Sequence, residues 1–355
     1  MQKTLTLPFY QRQAKARTLL VALVVLLVVT MLLAVGLGAV QIRPMQIVAI
    51  LLEPLGITLQ SDHTQQQANV LTAIRLPRVL LGVLVGAALA VSGAGMQGLF
   101  RNPLADPGLL GVSSGAAFAA VLVIMFGNLV PLLNGVWLLP VAAFAGGLFV
   151  TLLVYGIATK SGRTDIATML LAGVAINALA GAATGLLIFV ADDNELRDIT
   201  FWSLGSLGGV TWKTLTAATP FLLLALLLIP RLAKPLNAFL LGEAEAGHLG
   251  VSVQRVKLGL VFLTAVAVGA AVSVSGIIGF VGLIIPHLVR LVIGPDHRYV
   301  LLGSMLLGAS FLVLADLFAR LVVIPAELPL GVVTSLVGGP FFLWQLLQRR
   351  RESET

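Results

Sequence analysis

The sequence predicts an all-α integral membrane protein, about ten transmembrane helices with an inverted internal repeat, forming a single transmembrane domain over residues 1–355. Three observations carry this. Hydrophobic residues make up 58% of the chain and charged residues 10%, with a mean hydropathy of +1.04, far from the balance of a soluble domain. Uncharged Leu/Val/Ala/Gly runs persist for about 20 residues, the length a helix needs to cross hydrocarbon. Segments of the first half also recur, in order, in the second.

Charged clusters and turn residues place the crossings near 18–40, 77–99, 108–127, 136–158, 166–190, 214–232, 256–274, 277–293, 300–320 and 329–347. Lys3, Arg12, Lys15 and Arg17 precede the first run, which is too long for the apolar core of a secretory signal and reads as a retained helix. Arg75-Leu76-Pro77-Arg78 opens the second, since proline suits a first helical turn. Arg101, Pro103 and Pro107 separate it from the third. Lys160 and Arg163 lie between the fourth and fifth, and Lys213 precedes the sixth. No charge breaks Lys257 to Arg290, so the seventh and eighth are divided at Ser275-Gly276. Arg298 precedes the ninth, Arg320 closes it, and Arg349 to Arg351 follow the tenth.

With the N-terminus inside, the cytoplasmic segments hold 16 of the 22 Lys and Arg residues. The positive-inside rule therefore supports an even number of crossings with both termini cytoplasmic. It also accounts for the formal charge of +7 without nucleic acid. An absence of cysteine excludes disulfides, thiolate metal sites and cysteine nucleophiles.

Val85–Gly93 (VGAALAVSG) matches Val268–Gly276 (VGAAVSVSG) at seven of nine positions, and GLLG at Gly108 resembles GFVG at Gly279. The halves fall near 75–190 and 256–347. Because the second helix runs inward and the seventh outward, the copies are inverted, as in many transport folds.

Transport needs a source of energy. Asp316 is the one clear intramembrane acid, placed for an i,i+4 ion pair with Arg320, against a proton relay in a stand-alone ion-coupled carrier. There is no G-x-x-x-x-G-K-[ST], no H-E-x-x-H and no G-x-S-x-G, so neither a nucleotide site nor catalytic or metal residues are expected. His63, His248, His287 and His297 are scattered over different segments. The polar, Gly-interrupted stretch 236–257 is long enough for short helices outside the bilayer and reads either as a docking surface or as an ordinary connection. Two arginines at the expected start of the second helix oppose its dipole, so an anionic partner or a lipid phosphate is expected at Arg75 and Arg78. The GxxxG pairs Gly82/Gly86 and Gly181/Gly185 suggest close contacts, within this chain or with a second copy.

RLPRVLLGVLVGAALAVSGAGMQGLFRNPLADPGLLGVSSGAA, GFVGLIIPHLVR, GPDHR, ADLFAR and ELPLGVVTSLVGGPFF together resemble the FecCD/BtuC-type permeases of type II ABC importers, over about residues 18–348. The resemblance implies a non-catalytic homodimeric permease in the bacterial inner membrane, with two ABC ATPase subunits, which hold ATP and Mg, below it and a periplasmic binding protein above. It assigns Arg75, Arg78 and Arg320 to binding-protein docking. Asn102 and Leu104, with Ile166 and Ala167, fall to a cytoplasmic gate, and Glu245, Ala246, Gly247, His248, Leu249 and Gly250 to the ATPase coupling loop. No permanent cofactor is implied. The run after Gly98 is most like haem permeases of the HmuU/BhuU type, implying haem as solute, with ferric siderophores or cobalamin as alternatives.

Overall fold

A computed structural model describes residues 9–57, 59, 61–127 and 137–354, the side chains of 9–12, 55, 346 and 348–354 excepted. Lys3, the side chains of Arg12 and Arg349 to Arg351, and the expected helix start at 136 lie outside the described residues. Among those described, seven helices are long and apolar enough to cross a bilayer, and three shorter apolar helices complete the expected set of ten.

The crossings are α1 (Phe9–Gly36), α3 (Gln65–Phe100), α4 (Val112–Phe126), α5 (Leu138–Ala158), α6 (Ile166–Val190), α8 (Trp212–Leu228), α11 (Val253–Ser275), α12 (Val281–Ile293), α13 (His297–Leu321) and α14 (Leu330–Glu354). Four shorter helices lie between them: α2 (Pro44–Leu52), α7 (Asp193–Ser203), α9 (Ala233–Phe239) and α10 (Glu243–His248). A two-residue hairpin, β1 (Thr159–Lys160) with β2 (Arg163–Thr164), joins α5 to α6.

The centre is α3, with 83% of its most apolar window buried, flanked by α11 and α13; α6, at 6%, is almost bare. Glycine lets the central helices touch backbone to backbone. A Cβ on Gly86 would lie 2.4 Å from the Gly308 carbonyl oxygen of α13, and one on Gly93 only 1.8 Å from that of Gly282 in α12. Gly181 and Gly185 of α6 have nothing within 4 Å. The first GxxxG pair is thus consumed inside the chain and the second is free.

Several boundaries move, among them the start of the third crossing, at Val112 rather than 108, and the end of the tenth, at Glu354 rather than 347. The first helix begins at Phe9, earlier than expected. The second begins at Gln65, where Thr64 and Gln67 cap each other reciprocally: the Gln67 N–H donates to the Thr64 hydroxyl (3.2 Å) and the Thr64 N–H to Gln67 Oε1 (3.0 Å). Pro77 therefore sits inside a helix that survives it by widening to a π-turn over Val70–Arg75, where the Leu76 N–H reaches the Leu71 carbonyl. Proline has no N–H for the carbonyl of Thr72, five residues back, which instead accepts from Trp212 Nε1 at 2.8 Å. Finally, α12 starts at Val281 rather than 277, because Gly276 (φ 66°) and Phe280 (φ 69°) turn the chain over 276–280. The repeated segment ends its helix at Ser275 in the second copy, whereas in the first α3 runs on from Gly93 to Phe100.

Candidate functional site

The crossings alternate, so two ends form. One carries 37–64, α7, the 276–280 turn and 322–329; the other carries 101–111, the β-hairpin, α9, α10 and 294–296.

At the first end, α3 and α13 bring a charged cluster together. Every nitrogen of the Arg78 guanidinium is engaged. Nε and Nη2 donate to Asp316 Oδ1 at 3.0 and 2.8 Å, while Nη1 and Nη2 fork onto the two Glu327 oxygens at 2.9 and 2.8 Å. Asp316 also meets Arg320 Nε at 3.2 Å, the expected i,i+4 pair. The Arg320 Nη2 donates to the Ala34 carbonyl at 3.1 Å. Arg75 donates Nη1 to the carbonyls of Val35 (2.6 Å) and Gly36 (3.0 Å) and Nη2 to that of Val40, fastening the end of α1 to α3.

Two expectations change here. Arg75 and Arg78 lie beyond the first turns of α3, so the helix dipole does not oppose them. The offset expected from an outside anion comes from within the chain, and both arginines are buried, at 4% and 7% exposure. Fork geometry explains why arginine is used: one planar cation satisfies two carboxylates. The Arg78 hydrogen bond holds the Glu327 carboxyl below the usual range, against its partial burial. Its side chain stays 41% exposed, the outermost carboxylate of the cluster.

Toward the same end, an open cavity of about 480 Å³ is lined by Leu204, Ile277, Gly279, Gly331, Ser335 and Leu336 among others.

At the opposite end, Asn102 and Leu104 are exposed on the 101–111 hinge, where Asn102 Oδ1 accepts from the Leu104 N–H at 2.9 Å. Burial pushes the Asp106 carboxyl up, partly offset by a bond from the Gly108 N–H at 2.7 Å. Ile166 is half-buried and Ala167 exposed at the start of α6, which Asp165 caps through the Thr168 N–H (2.7 Å). Thr168 holds that exposed carboxyl low. Hinge and helix join farther along α6: Gly173 is pressed on the Leu109 carbonyl, 1.9 Å from where a Cβ would stand, and Asn177 Nδ2 donates to the Gly108 carbonyl at 3.2 Å. Nothing in the sequence singled out Asn177.

The stretch 236–257 takes in the end of α9, all of α10 and the first residues of α11. Ala246 is buried and anchors α10, while Glu245, Gly247, His248, Leu249 and Gly250 are exposed together. At its edge Asn237 links to α13, donating Nδ2 to Asp296 Oδ1 (2.7 Å) and accepting from the His297 N–H (2.8 Å). No group of three or more His, Asp or Glu suited to a metal occurs among the described residues.

The FecCD transport family matches residues 26–348. The hemin transport system permease protein HmuU of Yersinia pestis is 51% identical over 279 residues, covering 79% of this chain and 83% of its own. The cobalamin import permease BtuC of Halobacterium salinarum is 49% identical over 276 residues (78% and 73%). Among solved structures, a transporter assigned to the metal-chelate ABC type, in an inward-facing conformation, aligns with a TM-score of 0.82 at 33% identity, covering 94% of this chain and 99% of that one.

Proposed function

The chain belongs to the FecCD transport family, an integral membrane permease subunit of an ABC importer and not itself an enzyme, and on that premise we propose that the solute it carries is haem. The observation that carries this reading is the identity to a hemin permease over 279 residues, together with the hinge run after Gly98. Cobalamin is the second reading, favoured by relatives such as the one 49% identical.

In this reading the permease works as a homodimer in the bacterial inner membrane. α6 and α14 face the second copy and the path, since Leu171, Leu179, Leu186 and Leu336 are exposed and the Gly181/Gly185 pair is unused. Positive-inside charge puts α10 and both termini in the cytoplasm. ATPase subunits seat on Glu245 to Gly250, and Asn102, Leu104, Ile166 and Ala167 form the inner gate. The binding protein docks at the end that holds Arg75, Arg78 and Arg320. Their burial gives them the task of holding the docking loops, with Glu327 at the surface.

The test is ATP hydrolysis and uptake by the complete complex in vesicles, with haem-loaded and cobalamin-loaded binding proteins compared. Stimulation by haem alone supports the first reading; stimulation by cobalamin alone replaces it.

A further inference from the structure

Lys257 lies in the second turn of α11 with its side chain only 2% exposed. A buried ammonium is costly unless it is paired and its protons are used. Here Nζ donates to Glu243 Oε2 at 2.7 Å and to the carbonyl of Thr164 at 2.8 Å. One turn earlier on the same helix, Gln254 Oε1 accepts from the Thr164 N–H at 3.0 Å.

These three bonds join elements distant in sequence. Glu243 is the first residue of α10. Thr164 ends β2 and immediately precedes Asp165, the cap of α6. Both backbone groups of Thr164 are therefore held by side chains of α11, and its hydroxyl is taken up by the Thr159 hydroxyl inside the hairpin (2.9 Å) and the Tyr155 hydroxyl of α5 (3.0 Å). The residue that leads into the α6 cap cannot shift relative to α11 without breaking two bonds, one of them buried and charge-assisted. Nor can α10 shift without losing the only carboxylate that Lys257 meets among the described residues.

We propose that Lys257 is a positioning residue that makes α10 and the first turn of α6 move as one body, so that a displacement imposed on Glu245 to Gly250 is delivered to Ile166 and Ala167. The inference rests on the reading of α10 as the ATPase contact and of the α6 start as the gate. It adds which side chain carries the load between them.

The natural absence of cysteine makes the experiment direct. Spin labels at Ala244→Cys in α10 and Leu171→Cys in α6, both exposed, report one distance in the complete complex with and without ATP. A second pair, Ala244→Cys with Leu302→Cys of α13, reports movement of α10 itself. With Lys257 present, the second distance changes with ATP and the first stays constant. Lys257→Met makes the first distance nucleotide-dependent and lowers solute moved per ATP hydrolysed about tenfold, the usual scale of coupling between sites. Lys257→Arg, which keeps charge and donors, restores both. Should Lys257→Met fail to accumulate, Glu243→Gln and Gln254→Met weaken the link from either side and should act in the same direction.

The proposal is overturned if Lys257→Met transports with unchanged stoichiometry and a constant Ala244–Leu171 distance. It is equally overturned if the Ala244–Leu302 distance ignores ATP in a complex that transports. A complex whose ATPase subunits do not bind at α10 at all instead refutes the functional reading beneath it.

Discussion

Arg78 and Asp316, 238 positions apart, meet where α3 passes the last turns of α13, through bonds of 2.8 to 3.1 Å. The pair ties the two halves of the repeat, and Glu327 closes it from the loop that follows α13. Removing one partner leaves the other charge buried and unpaired, which costs far more than the intact pair contributes. Arg78→Gln should therefore destabilise the protein by about 3–5 kcal/mol, read as a lowered unfolding temperature in detergent. Arg78→Lys, which cannot fork onto two carboxylates, should fall between.

The two GxxxG pairs should behave oppositely. Gly86→Ala in the first pair, like Gly93→Ala farther along α3, forces a methyl into a neighbouring backbone, at about 1–3 kcal/mol or more for overpacking, and should depress folded yield. A Cβ on Gly181 has nothing of its own chain within 4 Å, so Gly181→Leu has open space at its first carbon. It should leave the unfolding temperature of the subunit alone while shifting the monomer–dimer balance in size-exclusion with light scattering.

Acid sensitivity should divide between two carboxylates of opposite sign. Glu327 is held low by Arg78, so the native state binds fewer protons there than the unfolded chain. Its stabilisation is present above the unfolded value, near 4.3, and is lost as pH falls through the depressed native value. Glu327→Gln should remove that part of the acid-side loss. The pH dependence of the unfolding temperature, compared between the two proteins, measures it.

Asp106 runs the other way. Burial raises its native value, so its contribution is full below the unfolded value, near 3.9, and is lost as pH rises through the raised one. Asp106→Asn keeps an acceptor for the Gly108 N–H and should be more stable than the natural chain at neutral pH, with the advantage vanishing in acid. A natural chain equally stable at both ends of that range would contradict the assignment.

The crossings were legible because a bilayer imposes a length and a polarity that composition cannot hide. Where the reading slipped, a local rule was overridden by a distant one. Pro77 has the signature of a helix start, yet a π-turn and the Trp212 indole, 140 positions away from Thr72, absorb its missing donor. The true start at Gln65 carries no apolar run to mark it, because the polar residues there serve a cap and not a lipid face. Of the charged cluster, only Asp316–Arg320 was visible, since helical spacing reveals i,i+4 neighbours and is silent about Arg78 and Glu327. The links of Lys257 and Asn177 join residues 93 and 69 positions away and leave no periodic trace.

The fully buried residues of α6, Met169 and Gly173, both lie in its first half, and its bonds to the hinge end at Asn177. From there to Val190 the helix extends about 20 Å at 1.5 Å per residue, packed on one side and bare on the other. It is a lever with its fulcrum near one end. A tilt of about ten degrees at Asn177 would carry Val190 through roughly 3.5 Å over that arm, about the contact distance between two carbon atoms, while the residues beside Asn177 would barely move.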